Sequence, residues 1–213
     1  MTRDFILGRF GGRGTVGVRS SQGPIAPAIG LRGDHSLTPG ALMPDRVLTP
    51  AAVLVPIVEQ SAEPTILLTQ RTAHLSDHAG QIAFPGGRIE PSDRDAVAAA
   101  LRETEEEVGL PATHIEVIGR LDTYVTGTGF EVTPIVALVR VPYPSRPDPF
   151  EVAEIFEVPL SFIIDPANHQ RSSREWKGTT RHFFVLPYEN RYIWGATAGM
   201  LVNLAEILGE TPV

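Results

Sequence analysis

GGRIEPSDRDAVAAALRETEEEVGL, residues Gly86 to Leu110, carries four glutamates at the end of a helix that its own residues predict. Ser92 and Asp95 have the spacing of a capping box, and Asp93 and Asp95 suit the positive start of a helix. The interior is rich in alanine, and Gly109 can take the left-handed stop before Pro111. The expected helix runs from about Asp93 to Val108. At about 100° per residue, Val97, Leu101, Thr104 and Val108 share one stripe, while Glu103, Glu106 and Glu107 lie on the far side within about a 100° arc. Glu103, Glu105, Glu106 and Glu107 oppose the negative end of the helix dipole and repel one another, a cost that a cation relieves.

Hard oxygen ligands at positions i, i+3 and i+4 of a rigid helix suit Mg²⁺ or Mn²⁺, which prefer carboxylates and water to nitrogen or sulfur. The upstream glycines let the backbone approach closely, so a carbonyl of Gly86 or Gly87 could complete the shell. Arg102 can pair with Glu106 at i+4 or with Glu105 at i+3. A run of glutamates alone is ordinary solvated surface. The double glycine, the cap and the adjacent Arg102 and Glu103 favour metal binding instead.

These residues resemble the Nudix box, G-x5-E-x7-R-E-U-x-E-E-x-G-U with U aliphatic, in which Arg102, Glu103, Glu106, Glu107, Gly109 and Leu110 hold matching places. Counting forward from Gly87 puts the first glutamate slot on Asp93, and counting back from Arg102 puts it on Arg94. The loop is thus one residue longer than the consensus, and Thr104 fills a slot that is usually aliphatic. Upstream, LLTQRTAHLSDHAGQIAFPGG from Leu67 to Gly87 is similar to the LLTxR(S/A)x3Rx3Gx3FPGG element of Nudix enzymes that cleave coenzyme A. Arg71, Gly80, Phe84, Pro85, Gly86 and Gly87 fit that element. Thr72 replaces Ser or Ala, and Ser76 replaces an arginine that would be a partner for phosphates. YIWGATAG, Tyr192 to Gly199, also resembles that branch, and the whole resemblance spans roughly Val47 to Leu208.

The resemblance implies an α/β fold, the α/β/α sandwich around a mixed β-sheet. It also implies a metal-dependent pyrophosphohydrolase that takes coenzyme A or an acyl derivative to 3′,5′-ADP and 4′-phosphopantetheine. Glu103, Glu106 and Glu107, helped by Gly86, would hold Mg²⁺ or Mn²⁺, with Arg102 among the catalytic groups. Nudix enzymes often bring another acid from a later loop; Glu151 or Glu154 fits that role, and Glu151 would join the catalytic groups. Arg71, His78, Gln81, Gly86 and Gly87 would face the substrate. The same fold could instead serve ADP-ribose or a dinucleotide, and a Nudix-fold sensor that binds nucleotide without cleaving it is the reading from another class. The intact ArgGlu and GluGlu pairs count against a sensor.

Composition agrees with one enzyme-sized domain. With 213 residues, 42% of them hydrophobic, the chain can bury a sizeable core without disulfides, and it has no cysteine. A net charge of −7 argues against a broad nucleic-acid or anionic-membrane surface. The apolar run Ala51 to Val58 is broken by Pro56 and is too short to span a bilayer. The opening MTRDFILGRFGG lacks a secretory apolar core, so a cytoplasmic location is expected. The expected partner is a small-molecule nucleoside diphosphate, with homodimerisation open and neither nucleic acid nor membrane involved.

The glycine- and proline-rich stretch 1–45 lacks a GxxxxGK[ST] arrangement and reads as a flexible arm, with the Nudix domain at 46–213. Ala52–Val58, Thr65–Gln70, Ile115–Tyr124, Thr133–Val141, Arg181–Leu186 and Arg191–Trp194 read as strands, with TGTG at Thr126 to Gly129 as a turn. Met200, Leu201, Leu204, Ile207 and Leu208 form a helical stripe. His74 and His78 stand four apart but lack the companions of a zinc site. Glu151, Glu154 and Glu157 are otherwise ordinary surface charges. Trp194 and Phe184 could stack on an adenine, though strand aromatics are more often core. No GxSxG elbow supports serine-hydrolase chemistry.

Overall fold

The computed structural model describes residues 1–11, 30–38, 47–74, 79–176 and 178–209. Its spine is the strand β2 (Thr49–Val58), an apolar run that lies parallel to β8 (Phe130–Val139) in continuous register from Thr49 opposite Phe130 to Val58 opposite Val139. Pro56 cannot donate to a ladder. On its other side β2 pairs β5 (Gly86–Arg88) through Ala51 to Val53, and β3 (Thr65–Arg71) only through Ile57 and Val58. The proline falls where β2 changes partner, and the neighbouring Leu54 N–H reaches the Pro85 carbonyl at 2.9 Å.

Around this spine, β3 pairs antiparallel with β4 (Ile82–Ala83) and β9 (Val152–Pro159). On the other flank, β8 pairs antiparallel with β6 (Ile115–Arg120) and β7 (Thr123–Val125), and β7 is joined in parallel by β1 (Leu31–Gly33), which leads into the short α2 (Asp34–Leu37). The sheet is therefore mixed. A separate antiparallel sheet of β10 (Gln170–Trp176), β11 (Thr179–Tyr188) and β12 (Arg191–Trp194) follows α4 (Leu160–Ile164) and runs into α5 (Gly195–Gly209).

Strand pleating sends alternate residues to opposite faces. Ala52, Leu54, Ile135 and Ala137 meet Val97, Ala99 and Ala100 of α3 (Ala96–Val108). Val55, Ile57, Val136 and Leu138 face the other core, shared with α5 and α1 (Arg3–Phe10). Met200, Leu201, Leu204, Ile207 and Leu208 are all buried there, as their spacing foretold. The expected mixed α/β fold is the one the chain adopts. Among the described residues no helix is long and apolar enough to cross a membrane.

Several boundaries differ from the sequence reading. The main helix starts at Ala96, not Asp93, because Asp95 and not Ser92 is its cap, accepting from the Ala98 N–H at 2.8 Å. Asp93 is drawn out of the helix: it accepts from the Glu90 N–H and grips Arg102. Gly109 does provide the left-handed stop. The carboxylate face is not uniformly solvated either, since Glu107 is buried. Ile115–Tyr124 is two strands rather than one, broken where the Asp122 N–H turns to Asn203 Oδ1. The strand β9 has no clean alternation to reveal it.

Segments of the stretch read as an arm pack onto the domain. Thr2 caps α1, Ile6 and Phe10 are buried in the main core, and Arg9 Nε donates to the Ile207 carbonyl at 2.8 Å. Arg3 bridges Glu59 and Glu116. The Phe10 ring lies so close to Gly119 that a Cβ there would come within 2.8 Å of it. Phe10→Ala should therefore cost about 3–5 kcal/mol in chemical denaturation, the cost of an emptied aromatic site. A loss below about 1 kcal/mol would mean that α1 is not part of the cooperative fold.

Candidate active site

The glycine turn is pressed between β2 and α3, and its residues leave no room for a side chain. Gly86 has φ +150°, and a Cβ there would lie 2.4 Å from the Ala52 carbonyl oxygen. One residue on, a Cβ at Gly87 would lie 2.5 Å from Glu103 Oε1. The close approach lets the Gly86 N–H donate to Glu107 Oε2 at 3.1 Å. Gly86 thus meets the glutamate face through its N–H.

Arg102 organises the other side of this turn. Its Nε and Nη2 form a fork on Asp93 at 3.0 and 2.9 Å, and Nη2 also reaches the Arg88 carbonyl. Its Nη1 donates to Glu103 at 3.0 Å and to Glu106 at 2.9 Å, so of the two helical partners expected the i+4 residue is engaged. Bidentate arginine pairs of this kind are both strong and directional. Hydrogen bonds from Arg102, then from the Glu90 N–H, hold the Asp93 carboxyl below its ordinary range. Arg94, the alternative for the first acidic slot, is largely exposed beside Asp95.

Glu103 and Glu107 are shifted the other way. Burial raises Glu103 first; Arg102 opposes this, and Glu106 and Glu151 add repulsion. Glu107, 6% exposed in its side chain, is pushed up to about 8, mainly by burial. The Gly86 N–H and Arg71 pull it down, whereas Glu103 and Glu151 push it up. Arg71 Nη1 stands 3.5 Å from Glu107 Oε1 and 3.8 Å from Glu151 Oε2, between the helix and a later loop. Its buried Nε has no hydrogen-bond partner among the described residues.

What brings Glu151 here is a strap across the C-terminal end of α3. Arg146 N–H donates to the Val108 carbonyl at 2.8 Å and Asp148 N–H to the Glu107 carbonyl at 2.9 Å, satisfying carbonyls that a helix end otherwise leaves open. At its start the strap is tied down by Tyr143, whose hydroxyl donates to Glu157; Thr65 and Gln60 donate to the same carboxylate. Burial and that carboxylate together raise the Tyr143 phenol well above its usual range. At its far end Thr72 N–H donates to the Glu151 carbonyl. Thr72, Asp148 and Tyr143 were not singled out as anchors from sequence. The Asp-Pro-Phe turn at 148–150 was the one available signal, since aspartate often bonds the backbone two residues on.

The remaining candidates are distributed. Glu154 is bound to Arg191 at 2.5 Å and lines a cleft of about 520 Å³ with Gln70, Gln81, Arg191, Tyr192 and Trp194. The Gln81 carbonyl accepts from the Arg71 N–H, which ties this cleft to the strand end that carries Arg71. Trp194 meets Phe183 edge to face, and Phe184 packs against the main core. His78 and Ser76 lie outside the described residues.

Among the described residues no three carboxylate or imidazole groups converge as a preassembled metal shell. The reason is local: Glu103 and Glu106 are turned to Arg102, and Glu107 to Gly86 and Arg71. The donor chemistry nonetheless fits a hard divalent ion. Carboxylates that repel one another and stand partly desolvated gain from such a cation.

Glu107 also sets a pH dependence. A carboxyl whose folded pKa is raised from 4.5 to about 8 favours the fold while protonated, so its contribution is full below about 4.5 and is lost as pH rises to about 8. Metal-free protein should show a falling melting temperature across that window, and Glu107→Gln should flatten the slope. An unchanged slope in Glu107→Gln would contradict the burial of this group.

The NUDIX domain family model matches residues 48–177. The Nudix hydrolase NudL of Shigella flexneri, itself uncharacterized, is 42% identical over 162 residues, covering 76% of this chain and 84% of that protein. NudL of Escherichia coli strain K12, also uncharacterized, matches at the same identity and coverage. Among solved structures, a C. elegans Ap4A hydrolase binary complex superimposes with a TM-score of 0.44 at 23% identity, covering 52% of this chain and 80% of that one. On the family match and the NudL relatives, this chain belongs to the Nudix hydrolase family.

Proposed function

We propose that the chain is a divalent-metal-dependent pyrophosphohydrolase that cleaves the diphosphate of coenzyme A or an acyl derivative, giving 3′,5′-ADP and a 4′-phosphopantetheine. The supporting observation is the arrangement of Glu107 and Glu151 about Arg71, beside the Gly86–Gly87 turn and Glu103. Coenzyme A is favoured by the LLTQR…FPGG motif, whose Arg71 stands in this arrangement.

Glu103, Glu106 and Glu107, with the Gly86 carbonyl, would hold Mg²⁺ or Mn²⁺, which when bound polarise phosphoryl oxygens and neutralise charge on the leaving phosphate. Arg102 keeps Glu103 and Glu106 on one side of the turn. Arg71 orients the diphosphate by charge-assisted hydrogen bonds. Glu151, half-exposed at the end of its strap, orients the attacking water and accepts its proton. The replacement of an arginine by Ser76 favours a second reading, a hydrolase of ADP-ribose or a dinucleotide with the same site.

A panel of coenzyme A, dephospho-coenzyme A, ADP-ribose and a dinucleoside polyphosphate, with product identification, tests the assignment. Coenzyme A should have the highest kcat/KM, and loss of its 3′-phosphate should lower it. Arg71→Ala should cost about 1–3 kcal/mol of transition-state binding. Glu151→Gln should lower kcat on the order of a hundredfold or more with the circular dichroism spectrum unchanged. A tenfold preference for ADP-ribose would move the substrate, and nucleotide binding without any cleavage would make the chain a sensor.

A further inference from the structure

Phe150 is 64% exposed and immediately precedes Glu151. A single exposed apolar side chain is unremarkable by itself, but this one is held in place from both sides. Its N–H donates to Asp148 Oδ1 at 2.9 Å, and its carbonyl accepts from the buried Thr72 hydroxyl at 2.8 Å. The turn is closed further by the Glu151 and Val152 N–H groups on the Asp148 carbonyl. The ring itself meets His74 edge to face, with centroids 4.9 Å apart and planes at 61°. Thr72 thus uses the hydroxyl that distinguishes it from alanine to fix the backbone under an exposed ring.

The place of that ring gives it a use. Its chain neighbour Glu151 faces Arg71, which also faces Glu107, so one turn carries both an exposed apolar ring and an acid of the charged cluster. A ligand that matches both carries an anionic phosphate group and a flat, uncharged ring. We propose that Phe150, flanked by His74, is the stacking platform for the base of the nucleotide substrate. This rests on the pyrophosphohydrolase reading for the position of the phosphates. Stacking on an aromatic face tolerates any base, so Phe150 selects for a base and not for its identity.

AMP and ribose 5-phosphate differ only in the base and offer no diphosphate to cleave, which makes them a direct pair of probes for NMR titration of the full chain in Mg²⁺ buffer. Wild type should bind AMP more tightly than ribose 5-phosphate, with the adenine protons shifted upfield by the ring. Phe150→Ala should weaken AMP about tenfold or more and remove that shift, leaving ribose 5-phosphate within about twofold. Phe150→Trp should restore both the affinity and the shift. Equal affinity of Phe150→Ala and wild type for AMP would overturn the proposal, as would absence of AMP binding by wild type. Parallel weakening of both ligands would overturn it too, because the variant would then have disturbed the Glu151 turn. Failure to hydrolyse any nucleoside diphosphate defeats the catalytic reading alone, since the stacking signature is read without turnover.

Discussion

A carboxylate buried at the last turn of α3 is the constraint that the surrounding structure satisfies. Glu107 sits at the negative end of a helix, among other glutamates, and is desolvated as well. Its two oxygens are met by one backbone donor, from Gly86, and one cation, Arg71. The first requires β5 to lie against α3 with no side chain between, which glycines at 86 and 87 allow. The second requires the end of β3 to pass beside the helix, which the sheet order provides. The geometry of the site is thus a by-product of accommodating one costly charge.

Arg102 and the strap from Tyr143 to Glu151 solve the same difficulty at neighbouring points. The guanidinium ties the loop after β5 to the helix through Asp93 and Arg88 while turning to Glu103 and Glu106. The strap satisfies the helix carbonyls and in doing so delivers an acid from a distant part of the chain. Backbone satisfaction and the placing of Glu151 beside Arg71 are served by the same segment, so the loop has little freedom to drift in length.

Sequence pattern was most legible where one element decides its own shape. The glycine stop of α3, the apolar stripe of α5 and the strand Arg191–Trp194 can be read locally, because caps and periodicity act over a few residues. The start of α3 was misread since Ser92 and Asp95 both suit a cap, and the choice between them depends on Asp93 being claimed by Arg102. The docking of α1 was invisible because only Ile6 and Phe10 are buried in it, too few to make a periodic signal. At the site, the helix glutamates followed from spacing. The company of Arg71 and Glu151 depends on strand pairing and on hydrogen bonds to helix carbonyls, which no local pattern encodes. Glu157 shows the limit plainly: it reads as surface charge and is instead held by Thr65, Gln60 and Tyr143.

The strand β9 has one more consequence. Among the described residues it pairs with β3 alone, so its other side is an open rim where a strand from another molecule could add on. The rim ends in Pro159, which offers no donor, and it carries Glu154 and Glu157, both already engaged by partners within the chain. The proline and the charged side chains blunt that rim, so the sheet is less able to grow from one copy into the next.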